Sequence, residues 1–174
     1  MSEARRETLT ENATEPFRMF LPHAREAVHI GIDDAPWVPG DGVALQLLQV
    51  DLNQGLWILR TRFAPGKEVE THYHTGPVFA VTQSGRWYYR EYPNQVNTAG
   101  SYLFEPAHSV HTLIVPEDNS EDTEVWFAIY GANVNLDAAG AVTGILDAQS
   151  ILAAYRDGCA KLGESSDHVI VIGE

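Results

Sequence analysis

The sequence contains a single cysteine, Cys159, among its 174 residues. One cysteine can form neither an intramolecular disulfide nor a thiolate zinc cluster within this chain. Cys159 also falls on the apolar face of a predicted helix, where a small thiol is more typical of a protein core than of a reactive site. We therefore assign no nucleophilic or redox role to the cysteine.

Basic residues are also few, since Lys plus Arg number 11 against 24 Asp plus Glu, for a net charge of −13. A surface of this charge repels phosphate backbones and anionic lipid head groups. No segment approaches the roughly 18 consecutive apolar residues of a membrane-spanning helix, and the first residues contain no apolar signal core. We expect a soluble cytoplasmic protein that binds neither nucleic acid nor membrane.

Short strands separated by turn residues dominate the middle of the chain. The predicted strands are Val43–Val50, Leu56–Phe63, Val78–Thr82, Arg86–Tyr92, Ser101–Phe104, His111–Val115 and Val125–Tyr130. Strands at this spacing, with no helical segment between them, indicate an antiparallel sandwich or barrel. The sequence therefore predicts an all-β domain over residues 35–146.

The two flanking segments differ from this pattern. Residues 1–34 are predicted to form a tail and an arm, in which apolar residues of Phe17–His29 recur at roughly helical spacing but are interrupted by Pro22. A short helix and an irregular arm both remain open. Residues 147–174 are predicted to form a helix and a tail packed on the barrel, with Asp147 as the N-cap and Gly163 as the stop. The apolar face of this helix comprises Ile151, Leu152, Tyr155, Cys159 and Leu162.

Two histidines are spaced for metal binding in the segment that ends at His72-Tyr-His74. In a strand, residues two apart point to the same face, roughly 6.5–7 Å apart. Two imidazoles at this separation can converge on one ion with bonds of about 2.1 Å. His111, which opens a later strand, can face the pair across the interior of an antiparallel barrel.

The glycines and the proline around these histidines make the pattern more specific. Gly66 stands six residues before His72, Gly85 follows His74 by eleven, and Gly100, Pro106 and His111 repeat a second spaced pattern. Over residues 66–111 the sequence resembles the cupin superfamily, whose two motifs carry these landmarks. The resemblance implies a cupin, or double-stranded β-helix (jelly-roll), barrel with a metal site formed by His72, His74 and His111.

The sequence departs from the cupin motifs at two positions. Val78 stands where the first motif usually has a glutamate ligand, and His108 stands where the second motif has glycine. Val78 has the same strand parity as His72 and His74, so it faces inward without being able to bind metal. A decayed, merely structural motif is one interpretation. The other is a three-histidine site, as in the thiol and β-diketone dioxygenases of this superfamily. His108 is expected either beside the site or on the surface.

Imidazole ligands suit iron, zinc, copper and nickel, and three protein ligands leave positions open for substrate. Segments beginning at Ala35, Gly55 and Glu105 resemble the family of 2,4′-dihydroxyacetophenone dioxygenase, over roughly residues 35–160. That resemblance implies an iron(II) enzyme, with zinc or another divalent metal as the alternative, that cleaves an aromatic α-hydroxyketone with O₂. We assign substrate binding to Val78, Tyr88 and Trp126, and the role of catalytic base to Glu105.

The alternative function is a zinc-binding cupin sensor of the anti-sigma-factor type, which would perform no catalysis. Such sensors carry an N-terminal zinc-binding helical domain, whereas the first 50 residues here contain no cysteine and only His23 and His29.

The remaining expectation concerns assembly. Cupins commonly cover exposed sheet edges by pairing, so we expect a homodimer or a homotetramer with the N-terminal arm at or near the interface.

Overall fold

The computed structural model describes residues 27–173, so most of the predicted arm at Phe17–His29, and His23 with it, lies outside the described residues. Within residues 27–173 the regular structure is almost entirely β, as predicted, with a single helix. No helix in this range is long and apolar enough to cross a membrane. The strands are β1 (Val38–Pro39), β2 (Val43–Asp51), β3 (Leu56–Phe63), β4 (His72–His74), β5 (Val78–Ser84), β6 (Arg86–Tyr89), β7 (Asn97–Thr98), β8 (Tyr102–Glu105), β9 (Leu113–Ile114), β10 (Thr123–Tyr130), β11 (Asn133–Leu136), β12 (Val142–Leu146) and β13 (Ile170–Ile172); the helix is α1 (Ala148–Leu162).

The strands form one large sheet and two small ones. The large sheet has the order β1-β2-β3-β10-β5-β8. In addition, β13 pairs in parallel with the C-terminal part of β2, after the residues of β2 that pair with β1. The small sheets have the orders β12-β11-β4 and β7-β6-β9. The C-terminal residues therefore add a strand to the large sheet in addition to packing on it.

The core lies on the inward face of the large sheet. β3 alternates between half-buried and buried residues along its whole length, as a strand with one covered face does. Trp57, Leu59 and Phe63 supply its buried side, and Phe127 of β10 packs edge-on against Phe63. This alternation sets which side chains can reach the interior, and hence the site.

Helix α1 begins and ends where its caps predict. The Asp147 side chain accepts a hydrogen bond from the Ser150 backbone N–H, and Gly163 adopts a left-handed φ of 75°. Four of the five residues assigned to the apolar face are buried, but Leu162 is 47% exposed. That assignment was wrong because Leu162 is the last residue of the helix, one turn beyond the buried Cys159.

The motif glycines occupy turns that require their conformation. Gly66, Gly85 and Gly100 have φ values of 78°, 71° and 86°. At Gly85 a Cβ atom would also lie 2.4 Å from the Thr123 Oγ1 atom. The spacing of these glycines in the sequence therefore reflects the positions at which the chain reverses between strands.

Candidate metal centre

The structure brings together the three histidines that the sequence singled out. His72 and His74 lie on one face of β4, and His111 lies directly beside His72. The backbone N–H of each of His72 and His111 donates to the carbonyl of the other at 3.0 Å. Ring centroids are 4.7 Å apart for His72 and His111, and 5.1 Å apart for His72 and His74. One nitrogen from each of the three rings lies within 4.8 Å of the others.

Burial holds these imidazoles in the neutral form that binds metal. His72, His74 and His111 are 6%, 6% and 2% exposed. Burial, followed by the neighbouring histidines, lowers the pKa of His74 to about 3. Burial and His72 lower the pKa of His111 to about 3, and burial also lowers the pKa of His72. Neutral imidazoles have a lone pair available for a cation, which suits a divalent metal ion.

The hydrogen bonds of the cluster also fit a metal site. His72 Nδ1 donates to the Glu70 carbonyl oxygen at 2.7 Å, which leaves Nε2 of that ring as the acceptor. Among the described residues, three buried polar side-chain atoms have no hydrogen-bond partner: His74 Nδ1, His111 Nε2 and Glu105 Oε2. Buried polar atoms are rarely left unpaired in native proteins. Their concentration in one cluster supports a site for a cation at these residues.

The loop before His111 explains how this histidine reaches the cluster. The His108 backbone N–H donates to the His74 carbonyl oxygen at 2.8 Å, which anchors the loop against β4. His108 has a left-handed φ of 66°, where the motif normally has glycine. Its side chain is exposed, so of the two placements expected for His108 the structure favours the surface.

Glu105 ends β8 and contacts the histidine cluster. Its Oε2 atom lies 3.2 Å from His111 Nε2 and 3.6 Å from His74 Nε2. The Tyr89 hydroxyl donates to its other oxygen, and the Tyr89 ring stacks on His111 with centroids 4.1 Å apart. Burial raises the pKa of Glu105 to about 7, although the hydrogen bond from Tyr89 opposes this shift. The carboxyl group is therefore placed to exchange a proton with a molecule bound at the cluster.

Val78 lies directly opposite Glu105 in the antiparallel pairing of β5 with β8, and it is fully buried. Its side chain offers no atom that can bind a metal ion. The carboxylate that the common motif carries on β5 is therefore missing, and the carboxylate nearest to the histidines projects from the neighbouring strand instead.

An apolar cavity of about 250 Å³ extends from the cluster between the sheets. Its polar lining consists of His72, His74, Tyr89, Glu105, Thr61, Asn133 and Asn135, and its apolar lining of Leu45, Trp57, Leu59, Phe63, Val69, Leu113, Phe127, Ile129, Leu146 and Ile151. Such a space suits a small molecule with a polar end at the histidines and an apolar remainder.

The residues assigned to substrate binding are not in this lining. Tyr88 and Trp126 have the opposite strand parity, and their neighbours Tyr89 and Phe127 line the cavity instead. Val78 packs in the core beside Glu105. Tyr88 and Trp126 are one position out of phase with this lining, in two segments where adjacent residues are aromatic and alternation therefore carries no signal.

Sequence reasoning also missed residues that support the cluster. Glu91 accepts hydrogen bonds from the Thr112 backbone N–H at 3.0 Å and from its hydroxyl at 3.2 Å. The Thr112 hydroxyl lies 2.8 Å from the Thr71 hydroxyl. These contacts connect the residue after His111 to the residue before His72. Asn133 and Asn135, which pair with His74 and His72 across β11 and β4, were missed as well.

Comparison with solved structures places the fold among cupins. A cupin-like protein of unknown function from Ralstonia eutropha JMP134 is 34% identical, with a TM-score of 0.81, over 87% of this chain and 96% of that one. An RmlC-like cupin from the same organism is 25% identical, with a TM-score of 0.73, over 79% and 92%. An acetylacetone dioxygenase from Acinetobacter johnsonii is 20% identical, with a TM-score of 0.65, over 78% and 93%, a likeness of fold alone.

A search of curated proteins gave no match. The family model described as the ChrR cupin-like domain matches residues 25–133, which is more than half of the chain. The predicted cupin fold is thereby confirmed, and the chain belongs to the ChrR cupin-like family.

Proposed function

We propose that this protein is a non-heme iron(II) dioxygenase that cleaves a C–C bond of an aromatic α-hydroxyketone, of the 2,4′-dihydroxyacetophenone type, to a carboxylic acid and formate. The observation that carries the proposal is a cluster of three buried neutral imidazoles, two of which, His72 and His74, line an apolar cavity together with the Glu105 carboxyl group. A protein named as an acetylacetone dioxygenase has the same fold.

His72, His74 and His111 would hold the metal ion. Because all three are neutral, these ligands do not offset its double positive charge. Once Glu105 has taken a proton from the substrate it is neutral as well, which favours a substrate that binds as an anion through two oxygens. A bound iron(II) ion supplies a Lewis acid that acidifies the substrate and a redox centre that reacts with O₂. Glutamate at position 78 would have reduced that charge, so valine there agrees with this use of the site.

Glu105 is the proton acceptor in this proposal. An α-hydroxyketone must lose a proton to become an anionic chelator, and Glu105 Oε2 is a buried carboxylate oxygen, without a hydrogen-bond partner, beside two of the three histidines. Tyr89 holds the other oxygen, so the carboxyl group cannot rotate freely. Tyr89 is therefore a positioning residue, and Glu105 is the catalytic one.

The cavity supports the choice of substrate class. Phe63, Phe127 and Trp57 present aromatic surface to a ring, and most of the other lining residues are aliphatic. The Asn133 side-chain N–H donates to the Asn135 Oδ1 atom at 2.6 Å. The Asn133 Oδ1 atom therefore remains as an acceptor, and the Asn135 Nδ2 atom as a donor, for a polar substituent. A hydroxylated aromatic ketone satisfies both kinds of surface.

A zinc-binding sensor without catalysis is the second candidate, because the family description names ChrR. In that case the cluster would bind zinc tightly, and the cavity would have no substrate to turn over. The same assay separates the two candidates.

The test is O₂ consumption by protein loaded anaerobically with iron(II) and then mixed with 2,4′-dihydroxyacetophenone in aerated buffer. We expect one O₂ consumed per ketone by the iron form, and none by the zinc form or by His111→Ala. The proposal is wrong if the iron form consumes no O₂ with this or related α-hydroxyketones, and zinc-only binding would then favour the sensor.

A further inference from the structure

Two side chains form a wall shared by the metal-site cavity and a second cavity. Leu45 of β2 and Ile151 of α1 line the 250 Å³ cavity that begins at the histidines. The same two residues line a neighbouring cavity of about 190 Å³ between α1 and the β1–β2 edge. Ile151 is 3% exposed and Leu45 is half-buried, so both are packed in place.

The wall lies at the end of the cavity away from the histidines. In the small sheet, His74 pairs with Asn133 on β11, and Asn133 pairs with Leu146 on β12, immediately before the helix. In the large sheet, cross-strand pairing connects Glu105 through Val78 and Ile129 to Trp57. Leu45 pairs instead with Thr61, four residues further along β3. Both sheets therefore lead from the polar end at the histidines to the apolar end at Leu45 and Ile151.

The second cavity is apolar like the wall. Its other lining residues are Val38, Pro39, Gly40, Val43, Ala154 and Tyr155. The Tyr155 hydroxyl donates to the Pro36 carbonyl oxygen at 2.7 Å, so its polar group already has a partner. None of the residues that line this cavity is charged. It can receive an aromatic or aliphatic group and offers nothing to an anion.

We infer that Leu45 and Ile151 determine substrate length, and that the cavity behind them is a subsite for the apolar end of a longer chelating ligand. This inference rests on the proposed function for the orientation of the ligand, with its two oxygens at the histidines. A ligand held there extends its apolar substituent toward the wall. Substituents no longer than the distance to the wall fit within the cavity. Longer substituents fit only when Leu45 or Ile151 is replaced by a smaller residue.

The test uses linear alkyl hydroxamates, which chelate divalent metal ions through two oxygens and require no turnover. Their affinity for the zinc-loaded protein is measured by calorimetry as the chain is lengthened. Each buried methylene should strengthen binding about fourfold until the chain meets the wall, after which affinity stops rising. In Ile151→Ala and in Leu45→Ala the rise should continue for longer chains.

Two matched variants control for loosened packing. Leu152 follows Ile151 on the same helix, and Leu47 lies on the same face of β2 as Leu45; both are buried and line neither cavity. Leu152→Ala and Leu47→Ala should leave the limiting length unchanged. Adding Ala154→Leu to Ile151→Ala fills the second cavity and should restore the original limit. Ile151→Val provides a milder version if the alanine variant is unstable.

An unchanged limiting length in folded, zinc-loaded Ile151→Ala and Leu45→Ala would overturn the inference, as would an equal shift in the control variants. A protein that binds hydroxamates with the expected lengths but consumes no O₂ with any hydroxyketone would contradict the proposed function alone. The two failures are therefore distinguishable.

Discussion

Val78 and Glu105 are cross-strand partners, and their side chains occupy neighbouring positions on the buried face of the large sheet. The common cupin motif places a glutamate at the first position. Here the carboxyl group is on the second, where it contacts His74 and His111 and is held by Tyr89. The buried carboxyl group beside the three histidines that could hold a metal ion is therefore on β8, one strand away from the motif position on β5.

The first prediction concerns Val78→Glu. A second carboxylate would partly neutralise the metal ion and occupy a position that a chelating substrate needs, and it would also repel Glu105. Metal should stay bound, while ketone-dependent O₂ uptake should fall at least tenfold, equivalent to about 1.4 kcal/mol of transition-state stabilisation. Val78→Gln, matched in size but uncharged, is the control. Equal losses in the two variants, with metal retained, would leave only a packing explanation.

The second prediction concerns the ligands. His72→Ala, His74→Ala and His111→Ala should each weaken metal affinity by more than about 100-fold, because ligands contribute more than the groups that merely orient them. His108→Gly is the matched control, since glycine suits the left-handed backbone there and the exposed ring is predicted not to bind metal. Elemental analysis after dialysis measures the effect. Stoichiometric metal in His111→Ala would refute the assignment.

The third prediction separates a base from a ligand. Glu105→Gln preserves size but cannot accept a proton, so kcat/KM should fall by about 10²–10⁴ while metal remains bound. Tyr89→Phe removes only the hydrogen bond that positions Glu105 and should cost less, about tenfold. If Glu105→Gln loses metal as readily as the histidine variants, Glu105 is a ligand and not the base.

The fourth prediction concerns assembly. Tyr102, Phe104 and Val81, on the outer face of β8 and β5, are 64%, 52% and 37% exposed. An apolar surface of this kind beside an edge strand is typical of a subunit interface. Light scattering should give the mass of a dimer or tetramer of the 19.2 kDa chain, and Phe104→Glu should lower it. A monomer at all concentrations would contradict the prediction.

The parts of the fold that depend on local signals were predictable from the sequence. β3 spans Leu56–Phe63 as predicted because its alternation is uninterrupted, and α1 has its caps at the expected residues. The predicted strand Arg86–Tyr92 instead ends at Tyr89, where the Tyr92 backbone N–H donates back to the Tyr89 carbonyl oxygen in a turn before Pro93.

The site was predictable only in part. The spacing of His72 and His74 by itself predicts that both side chains lie on one face of a strand. In Trp87-Tyr88-Tyr89 every residue is aromatic, so the sequence does not show which side chains face the interior. β11 contains Asn133 and Asn135, and because asparagine has a low strand propensity, no sequence pattern indicated amides beside the histidines. The partnership of Val78 with Glu105 depends on strand register between β5 and β8, which no local pattern encodes.

Isotope labelling shows whether oxygen atoms from O₂ enter the cleavage products. Iron-loaded protein is supplied with ¹⁸O₂ and 2,4′-dihydroxyacetophenone, and the products are analysed by mass spectrometry. Cleavage between the carbonyl carbon and the hydroxymethyl carbon consumes one O₂ and yields 4-hydroxybenzoate and formate, so we expect one labelled oxygen atom in each product. Products without label, or no products from the iron-loaded protein, would contradict the account.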